Sequence, residues 1–236
     1  MQPIEILESI RQNIRKVIVG RTDTIDLLLT SLVAGGHVLL EDVPGTGKTL
    51  LAKSLAKSMS LVFSRIQFTP DLLPSDVTGL NYFDQKESAF VLQKGPVFTH
   101  ILLADEINRA TPRTQSSLLE SMEEHQVTID GETYLLDEPF FVIATQNPVE
   151  TEGTYPLPEA QLDRFTVRVS LGYPSADDET DMLADHATSD RVKDLEPVAD
   201  VGDVLAAQAA AGRVHGSEAL RRYVVAVLEV TRADPR

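Results

Sequence analysis

Residues 38–49, with the sequence VLLEDVPGTGKT, combine the residue types that hold a phosphate group. A short apolar strand leads into a loop with Gly45 and Gly47, which can take the positive φ that a close approach to a phosphate requires. A helix then begins at Lys48 and Thr49, and backbone N–H groups of such a loop and helix N-terminus converge on an anion. The Lys48 ammonium can reach β- and γ-phosphates, and the Thr49 hydroxyl can bind magnesium. The pattern therefore predicts a site for a nucleoside triphosphate with Mg²⁺.

One position departs from the strict pattern G-x-x-x-x-G-K-[ST], which has glycine where this chain has Asp42. Aspartate is among the few residues that tolerate the left-handed conformation, so the turn remains compatible if its carboxylate points away from the phosphates. The alternative is a chance glycine-rich turn between a strand and a helix, because short motifs give false positives.

A second apolar strand, residues 100–105, ends in two adjacent carboxylates, Asp105 and Glu106. Phosphoryl transfer to water needs magnesium near the β- and γ-oxygens and a group that orients the attacking water. Asp105 suits the first task, and Glu106 suits the second. The alternative is an ordinary strand followed by an acidic loop or helix start, where such residues are common.

Two further polar residues lie where elements meet. Asn147 follows a third apolar strand, residues 140–145, where its amide could hold the attacking water or contact a γ-phosphate. The alternative is a turn residue before proline. Arg164 lies where a short helix in residues 157–165 runs into a strand, and could be an arginine finger offered to a neighbouring subunit. Otherwise it pairs with Asp163 or caps the helix.

The order of elements predicts how these residues are positioned. Strands alternate with helices, which favours an α/β core with a parallel sheet and helices on both faces. Apolar periodicity predicts helices at 4–17, 22–35 and 111–124, hairpins at 82–92 and 127–136, and a strand at 166–171. Arg109 and Arg113 flank the helix at 111–124 and could lie at a subunit interface, although a solvated surface position is slightly favoured.

In this order the elements resemble the AAA+ ATPases and, specifically, the MoxR family. The resemblance extends to about residue 172 and is carried by residues 40–49, 104–110, 144–148 and 152–165. It implies a P-loop NTPase fold in which residues 42–49 are the Walker A motif and Asp105 and Glu106 are Walker B. It also implies that Asn147 is sensor 1 and that Arg164 is the arginine finger.

The same resemblance implies the ligands and partners. ATP and Mg²⁺ are the cofactors, and Thr49 and Asp105 are the metal ligands. Lys48, Glu106, Asn147 and Arg164 are the catalytic residues. The ATP-binding residues are Val19, Gly20, Val43, Pro44, Gly45, Thr46, Gly47, Lys48, Thr49 and Leu50. Val19 and Gly20 would lie against the adenine, although a simple core turn explains them equally well. In this family both hairpins would be insertions that face a central pore, whereas surface hairpins without substrate contact are the alternative.

The family implies a homo-oligomeric ring, most often a hexamer, that remodels protein clients in the manner of a chaperone. Its partner is often a protein with a von Willebrand factor A domain. Two other classes remain open: a DNA-directed motor of similar architecture, and a scaffold that binds ATP with little turnover. Salt-sensitive DNA binding would favour the motor, and partner binding that is unchanged by Glu106→Gln would favour the scaffold.

Beyond residue 172 the pattern changes to helices, predicted at 176–186, 201–211 and 217–233. This resembles the start of the helical lid of an AAA+ module, which gives a nucleotide-binding core at 1–172 and a partial all-α lid at 173–236. A sensor-2 arginine motif, expected in the family's lid, is not found in these residues. A truncated lid and a degenerate copy of the family are the two explanations, and we expect truncation because the motifs upstream are intact.

Composition restricts the classes of partner and the cellular compartment that we expect for this protein. The formal net charge of −15 argues against a general nucleic-acid binder, which needs a basic surface. The chain has no cysteine, which is compatible with a reducing compartment, and we expect a cytoplasmic protein. The N-terminus lacks the apolar core of a signal peptide, and the longest apolar region, residues 27–40, is too interrupted to insert into a membrane.

Overall fold

The computed structural model describes residues 2–41, 45–148, 153–172, 180 and 192–234. Its strands are β1 (Val38–Glu41), β2 (Phe63–Gln67), β3 (Gly79–Asp84), β4 (Ala89–Lys94), β5 (Ile101–Asp105), β6 (Gln126–Ile129), β7 (Glu132–Leu135), β8 (Phe141–Gln146) and β9 (Val167–Val169). Its helices are α1 (Pro3–Arg15), α2 (Thr22–Val33), α3 (Lys48–Ser58), α4 (Pro74–Thr78), α5 (Pro112–Glu124), α6 (Glu159–Leu162), α7 (Val201–Ala211) and α8 (Glu218–Ala233), with a short 3-10 helix at Ile107–Arg109.

Five parallel strands form the central sheet in the order β2-β5-β8-β1-β9. Successive side chains of a strand point to opposite faces, so a sheet covered on both sides needs continuous apolar strands. On β5, Leu103 packs toward α1, α2 and α3, whereas Leu102 packs toward α5. The predicted α/β fold with helices on both faces is confirmed.

The two predicted hairpins are present as β3–β4 and β6–β7. In the second, Asp130 and Gly131 both have positive φ, as a two-residue type I′ turn requires. On the first, the exposed rings of Phe83 and Phe90 meet edge to face, with centroids 5.4 Å apart. Their contact with a substrate stays a prediction.

Other boundaries differ modestly from the sequence prediction. The strand expected at 166–171 is limited to Val167–Val169, and α2 ends at Val33 rather than at residue 35. The strand β2 has no counterpart in the prediction, because only Ile66 among its five residues is buried and the apolar signal is correspondingly weak.

Residues 192–211 include a segment that packs against the core. The Asn13 side chain donates a hydrogen bond to the backbone oxygen of Glu196 at 3.0 Å, and Leu195 and Val204 are buried in the core beside α1. The helix predicted at 201–211 is present at those bounds as α7 and packs against α1 and α2. The helix predicted at 176–186 lies outside the described residues, and the division at residue 172 stays a prediction.

The last helix, α8, begins after Ser217, whose hydroxyl accepts a hydrogen bond from the Leu220 N–H as an N-cap. None of its residues is buried, although it carries exposed apolar side chains such as Tyr223 and Val227. Within the described ranges, no helix has both the length and the apolar character needed to cross a bilayer.

Candidate nucleotide-binding and hydrolysis site

A cavity of about 670 Å³ lies at the carboxyl end of β5, beside the N-terminus of α3. Ligands of open parallel sheets bind at this edge of the strands. The cavity is lined by Gly45, Gly47, Lys48, Thr49, Leu50, Lys53, Arg65, Gln67, Asp105, Glu106, Val192 and Lys193. The structure therefore brings the predicted phosphate loop and the predicted carboxylate pair to one space.

The phosphate-loop side of this cavity is built by backbone conformation. Gly45 and Gly47 have φ of 87° and 88°, a region that side chains other than glycine rarely adopt. A Cβ atom added at either glycine would meet no protein atom within 4 Å, so open room lies beside the loop. Gly47 directly precedes α3, whose first N–H groups have no partner within the helix and give this end a partial positive charge. An anion is the ligand that such a loop favours.

Asp105 and Glu106 are positioned by the neighbouring strand β8. The Thr145 hydroxyl donates to Asp105 Oδ1 at 2.6 Å and accepts from the Glu106 N–H at 2.8 Å. Both carboxylates are largely enclosed, with side-chain exposures of 13% for Asp105 and 19% for Glu106. One hydroxyl therefore fixes both acidic residues relative to the sheet.

Glu106 has an unusual backbone conformation, with φ of 56° and ψ of 49°. For a residue with a side chain this left-handed conformation costs about 1–2 kcal/mol, and such outliers cluster at functional sites. Its carboxylate accepts a hydrogen bond from Gln67 at 2.7 Å and one from Arg109 at 3.1 Å. Arg109, interpreted from sequence as a solvated surface residue, has 42% of its side chain exposed, and its guanidinium pairs with Glu106.

Strand β2 brings two residues to the site that the sequence analysis missed, Arg65 and Gln67. Arg65 donates to Asp105 Oδ2 from Nη2 at 2.6 Å and from Nε at 3.3 Å. Its Nη2 also donates to Gln67 Oε1 at 2.9 Å, and Gln67 Nε2 in turn donates to the Glu106 carboxylate. Residues 63–67 contain only two apolar residues, Phe63 and Ile66, and do not alternate regularly, so no local pattern identifies this strand.

The donor chemistry of the cavity fits a magnesium ion. Thr49 and Asp105 both line the cavity and offer a hydroxyl and a carboxylate, the hard oxygen ligands that Mg²⁺ prefers together with phosphate oxygens and water. Lys48 lines the same cavity and supplies positive charge for the phosphates of the nucleotide.

The remaining predicted residues are placed differently. Asn147 follows β8 directly and is buried, two residues beyond Thr145, but it does not line the cavity. Thr46 belongs to the loop without lining the cavity, whereas Val43 and Pro44, like Asp42, lie outside the described residues. Val19 and Gly20 form the turn between α1 and α2, away from the cavity lining. Their contact with adenine stays a prediction.

Arg164 lies outside this cavity, in the segment between α6 and β9. Its guanidinium forms an ion pair with Glu123 of α5, rather than with Asp163 as one alternative had it. About a third of its side chain is exposed to solvent. In this single chain, Arg164 is therefore not part of the cavity that Lys48 and Asp105 line.

Another polar cluster joins three strands next to this edge of the sheet. Glu41, the last residue of β1, accepts hydrogen bonds from the Gln146 side chain and from Arg168 Nε, the latter at 2.7 Å. Glu41 and Gln146 are direct partners in the pairing of β1 with β8. The cluster fixes the end of β1, from which the phosphate loop departs, against the end of β8, from which Asn147 departs.

Comparisons with known proteins agree with this geometry. A sequence model of the ATPase family associated with various cellular activities (AAA) matches residues 37–167. The uncharacterized protein YeaC of Bacillus subtilis (strain 168) is 51% identical over 224 residues, covering 95% of this chain and 70% of YeaC. The chaperone MoxR1 of Mycobacterium tuberculosis (strain H37Rv) is 42% identical over 229 residues, covering 97% of this chain and 60% of MoxR1.

Among solved structures, a protein of Cytophaga hutchinsonii ATCC 33406 described as a candidate ATPase superposes with a TM-score of 0.89 at 44% identity. That superposition covers 97% of this chain and 69% of the other. The chain thus spans 60% to 70% of the length of these three proteins. The family match and these relatives show that the chain belongs to the AAA+ ATPases and, within them, to the MoxR family.

Proposed function

We propose that this chain binds ATP with Mg²⁺ and hydrolyses it to ADP and phosphate. One observation carries the proposal: a single cavity is lined by Lys48 and Thr49 on one side and by Asp105 and Glu106 on the other. Membership of an ATPase family supports a nucleotide as the ligand. The acidic net charge of −15 disfavours the alternative of a DNA-directed motor.

The roles follow from side-chain chemistry. Lys48 and the loop N–H groups hold the phosphates, and Leu50 extends the lining into α3. Thr49 and Asp105 hold magnesium, which neutralises charge that develops on the phosphate oxygens. Glu106 orients the attacking water, and Asn147 holds that water from the end of β8. The enclosure of Asp105 and Glu106 strengthens these electrostatic interactions, because fewer water molecules screen them.

We further propose that the enzyme works as a homo-oligomeric ring, most simply a hexamer, in which Arg164 completes the site of the neighbouring subunit. The position of Arg164 outside its own chain's cavity supports this arrangement. The proposed task of the ring is chaperone-like remodelling of protein partners, including a protein with a von Willebrand factor A domain. The relative MoxR1 is named a chaperone, which supports this assignment.

The test is Mg²⁺-dependent ATP hydrolysis measured against protein concentration, with Lys48→Ala, Glu106→Gln and Arg164→Ala beside the wild type. Lys86→Ala, an exposed residue in the β3–β4 turn, is the matched control. We expect specific activity to rise with concentration, to vanish in the three variants and to persist in the control. Nucleotide binding without turnover in the wild type would instead support the scaffold, and no binding would refute the proposal.

A further inference from the structure

Arg65 holds the carboxylate that the proposed function assigns to magnesium. Two of its nitrogens donate to one oxygen of Asp105, at 2.6 Å and 3.3 Å, and the other oxygen accepts from Thr145. Both oxygens of Asp105 are therefore engaged in this structure. The guanidinium supplies the positive charge that a largely enclosed carboxylate needs.

This contact is incompatible with direct use of the same oxygen by magnesium. Mg²⁺ requires near-octahedral geometry with oxygen ligands at about 2.0–2.1 Å, and it holds its water shell tightly. A guanidinium bonded to Asp105 Oδ2 occupies that position and repels a second cation there. Direct coordination of Asp105 Oδ2 by magnesium therefore requires Arg65 to leave that oxygen.

The structure also shows that Arg65 has room to move. It lies on β2, the edge strand of the central sheet, and its side chain is 45% exposed. It lines the same cavity as Lys48 and Thr49, so a phosphate bound there offers a new acceptor for its guanidinium. The planar fork of arginine matches phosphate oxygens in two parallel hydrogen bonds.

We propose that Arg65 is a further nucleotide-binding residue, which neutralises Asp105 in the absence of magnesium and moves to the terminal phosphate of bound ATP. This inference rests on the proposed function. It adds Arg65 to Lys48 as a second cation for the phosphates in the same cavity. It also gives β2, which has no motif of its own, a role in ligand binding.

The experiment is calorimetric titration of the intact protein with ADP, and with a non-hydrolysable ATP analogue, across a series of Mg²⁺ concentrations. In Arg65→Gln we expect the Mg²⁺ concentration for half-maximal ADP binding to fall by about tenfold, within the usual range of coupling between two ligands. We also expect the preference for the ATP analogue over ADP at saturating Mg²⁺ to fall. Arg65→Lys keeps the charge without the planar fork, so its Mg²⁺ requirement and its nucleotide preference should lie between those of the wild type and those of Arg65→Gln.

The matched control is Arg11→Gln, which also removes an arginine paired with an aspartate, Asp26, but lies away from the cavity. Arg11→Gln should leave the Mg²⁺ requirement for ADP binding and the preference for the ATP analogue unchanged. An unchanged Mg²⁺ requirement or an unchanged nucleotide preference in Arg65→Gln, with normal folding by circular dichroism, would overturn the inference. Failure of the wild type to bind either nucleotide, or binding that Lys48→Ala leaves intact, would instead refute the proposed function.

Discussion

The Thr145 hydroxyl bridges Asp105 and Glu106, because it donates to the carboxylate of the first and accepts from the backbone N–H of the second. Thr145 is fully buried within β8, so the bridge is shielded from water. Hydrogen bonds that involve a charged group in such surroundings are stronger than ordinary ones. The central strand of the sheet thus sets the relative position of the two carboxylates.

Replacing Thr145 with valine should therefore affect both stability and turnover. Thr145→Val keeps the side-chain shape but leaves the Glu106 N–H and one Asp105 oxygen without this partner. We expect a loss of about 1–3 kcal/mol in the free energy of unfolding, together with lower kcat. Urea unfolding and steady-state ATP hydrolysis measure the two effects. Thr145→Ser keeps the hydroxyl and should retain most of the stability and most of kcat. Equal effects of the serine and valine substitutions would contradict the bridging role.

Glu106→Gln should separate nucleotide binding from hydrolysis. The amide keeps the size of the side chain but loses the negative charge that orients and activates water, which is worth about 10²–10⁴ in rate for a general base. We therefore expect ATP affinity to be retained while turnover falls by at least about 10². Binding by calorimetry and phosphate release measure the two quantities. A parallel loss of both would show that Glu106 serves binding rather than chemistry.

The parts of the candidate site that could be predicted from sequence are those whose functional residues are adjacent along the chain. Gly45 to Thr49 form one continuous loop and helix start, and Asp105 and Glu106 are adjacent at a strand end, so local patterns are sufficient to identify them. The continuous burial of β5 and β8 follows in the same way from their continuous apolar character.

Residues that reach the site through strand pairing could not be predicted in this way. Arg65 lies 40 positions from Asp105 and meets it only because β2 pairs with β5 in a register that sets Gln67 opposite Asp105. The left-handed conformation of Glu106 is equally hidden, since no local residue type requires it. Register and backbone strain are set by tertiary packing rather than by local composition.

The proposed trans role of Arg164 gives a test that mixes two inactive variants. Arg164→Ala keeps an intact Lys48 in its own cavity, whereas Lys48→Ala keeps an intact Arg164 to offer to its neighbour. If Arg164 acts across the subunit interface, mixed oligomers should hydrolyse ATP faster than either variant alone, since an arginine finger contributes about 10³–10⁵ in rate. ATP turnover measured against the mixing ratio should pass through a maximum. A linear or flat dependence would place the function of Arg164 within its own chain.

His37 makes the stability of this fold dependent on pH. Its Nδ1 accepts a hydrogen bond from the Val142 N–H at 3.1 Å, and its Nε2 donates one to the Met122 backbone oxygen at 3.0 Å. Both nitrogens of the neutral ring therefore have a hydrogen-bond partner. Burial, with the nearby His125 as a smaller cause, lowers the pKa of His37 from 6.5 to about 4. Protonation would set two donors, Nδ1–H and the Val142 N–H, against each other.

The sign of the effect follows from proton linkage. Between pH 6.5 and about 4 the unfolded chain binds a proton at His37 that the folded chain does not, so stability falls as the pH falls through this window. At about 1.4 kcal/mol per pKa unit, the full loss attributable to His37 is about 3 kcal/mol. Urea unfolding at pH 7.5 and pH 5 should show His37→Gln to be less stable at pH 7.5 but less sensitive to acid than the wild type. His215→Gln, at an exposed position, should keep the wild-type slope, and an unchanged slope in His37→Gln would refute the assignment.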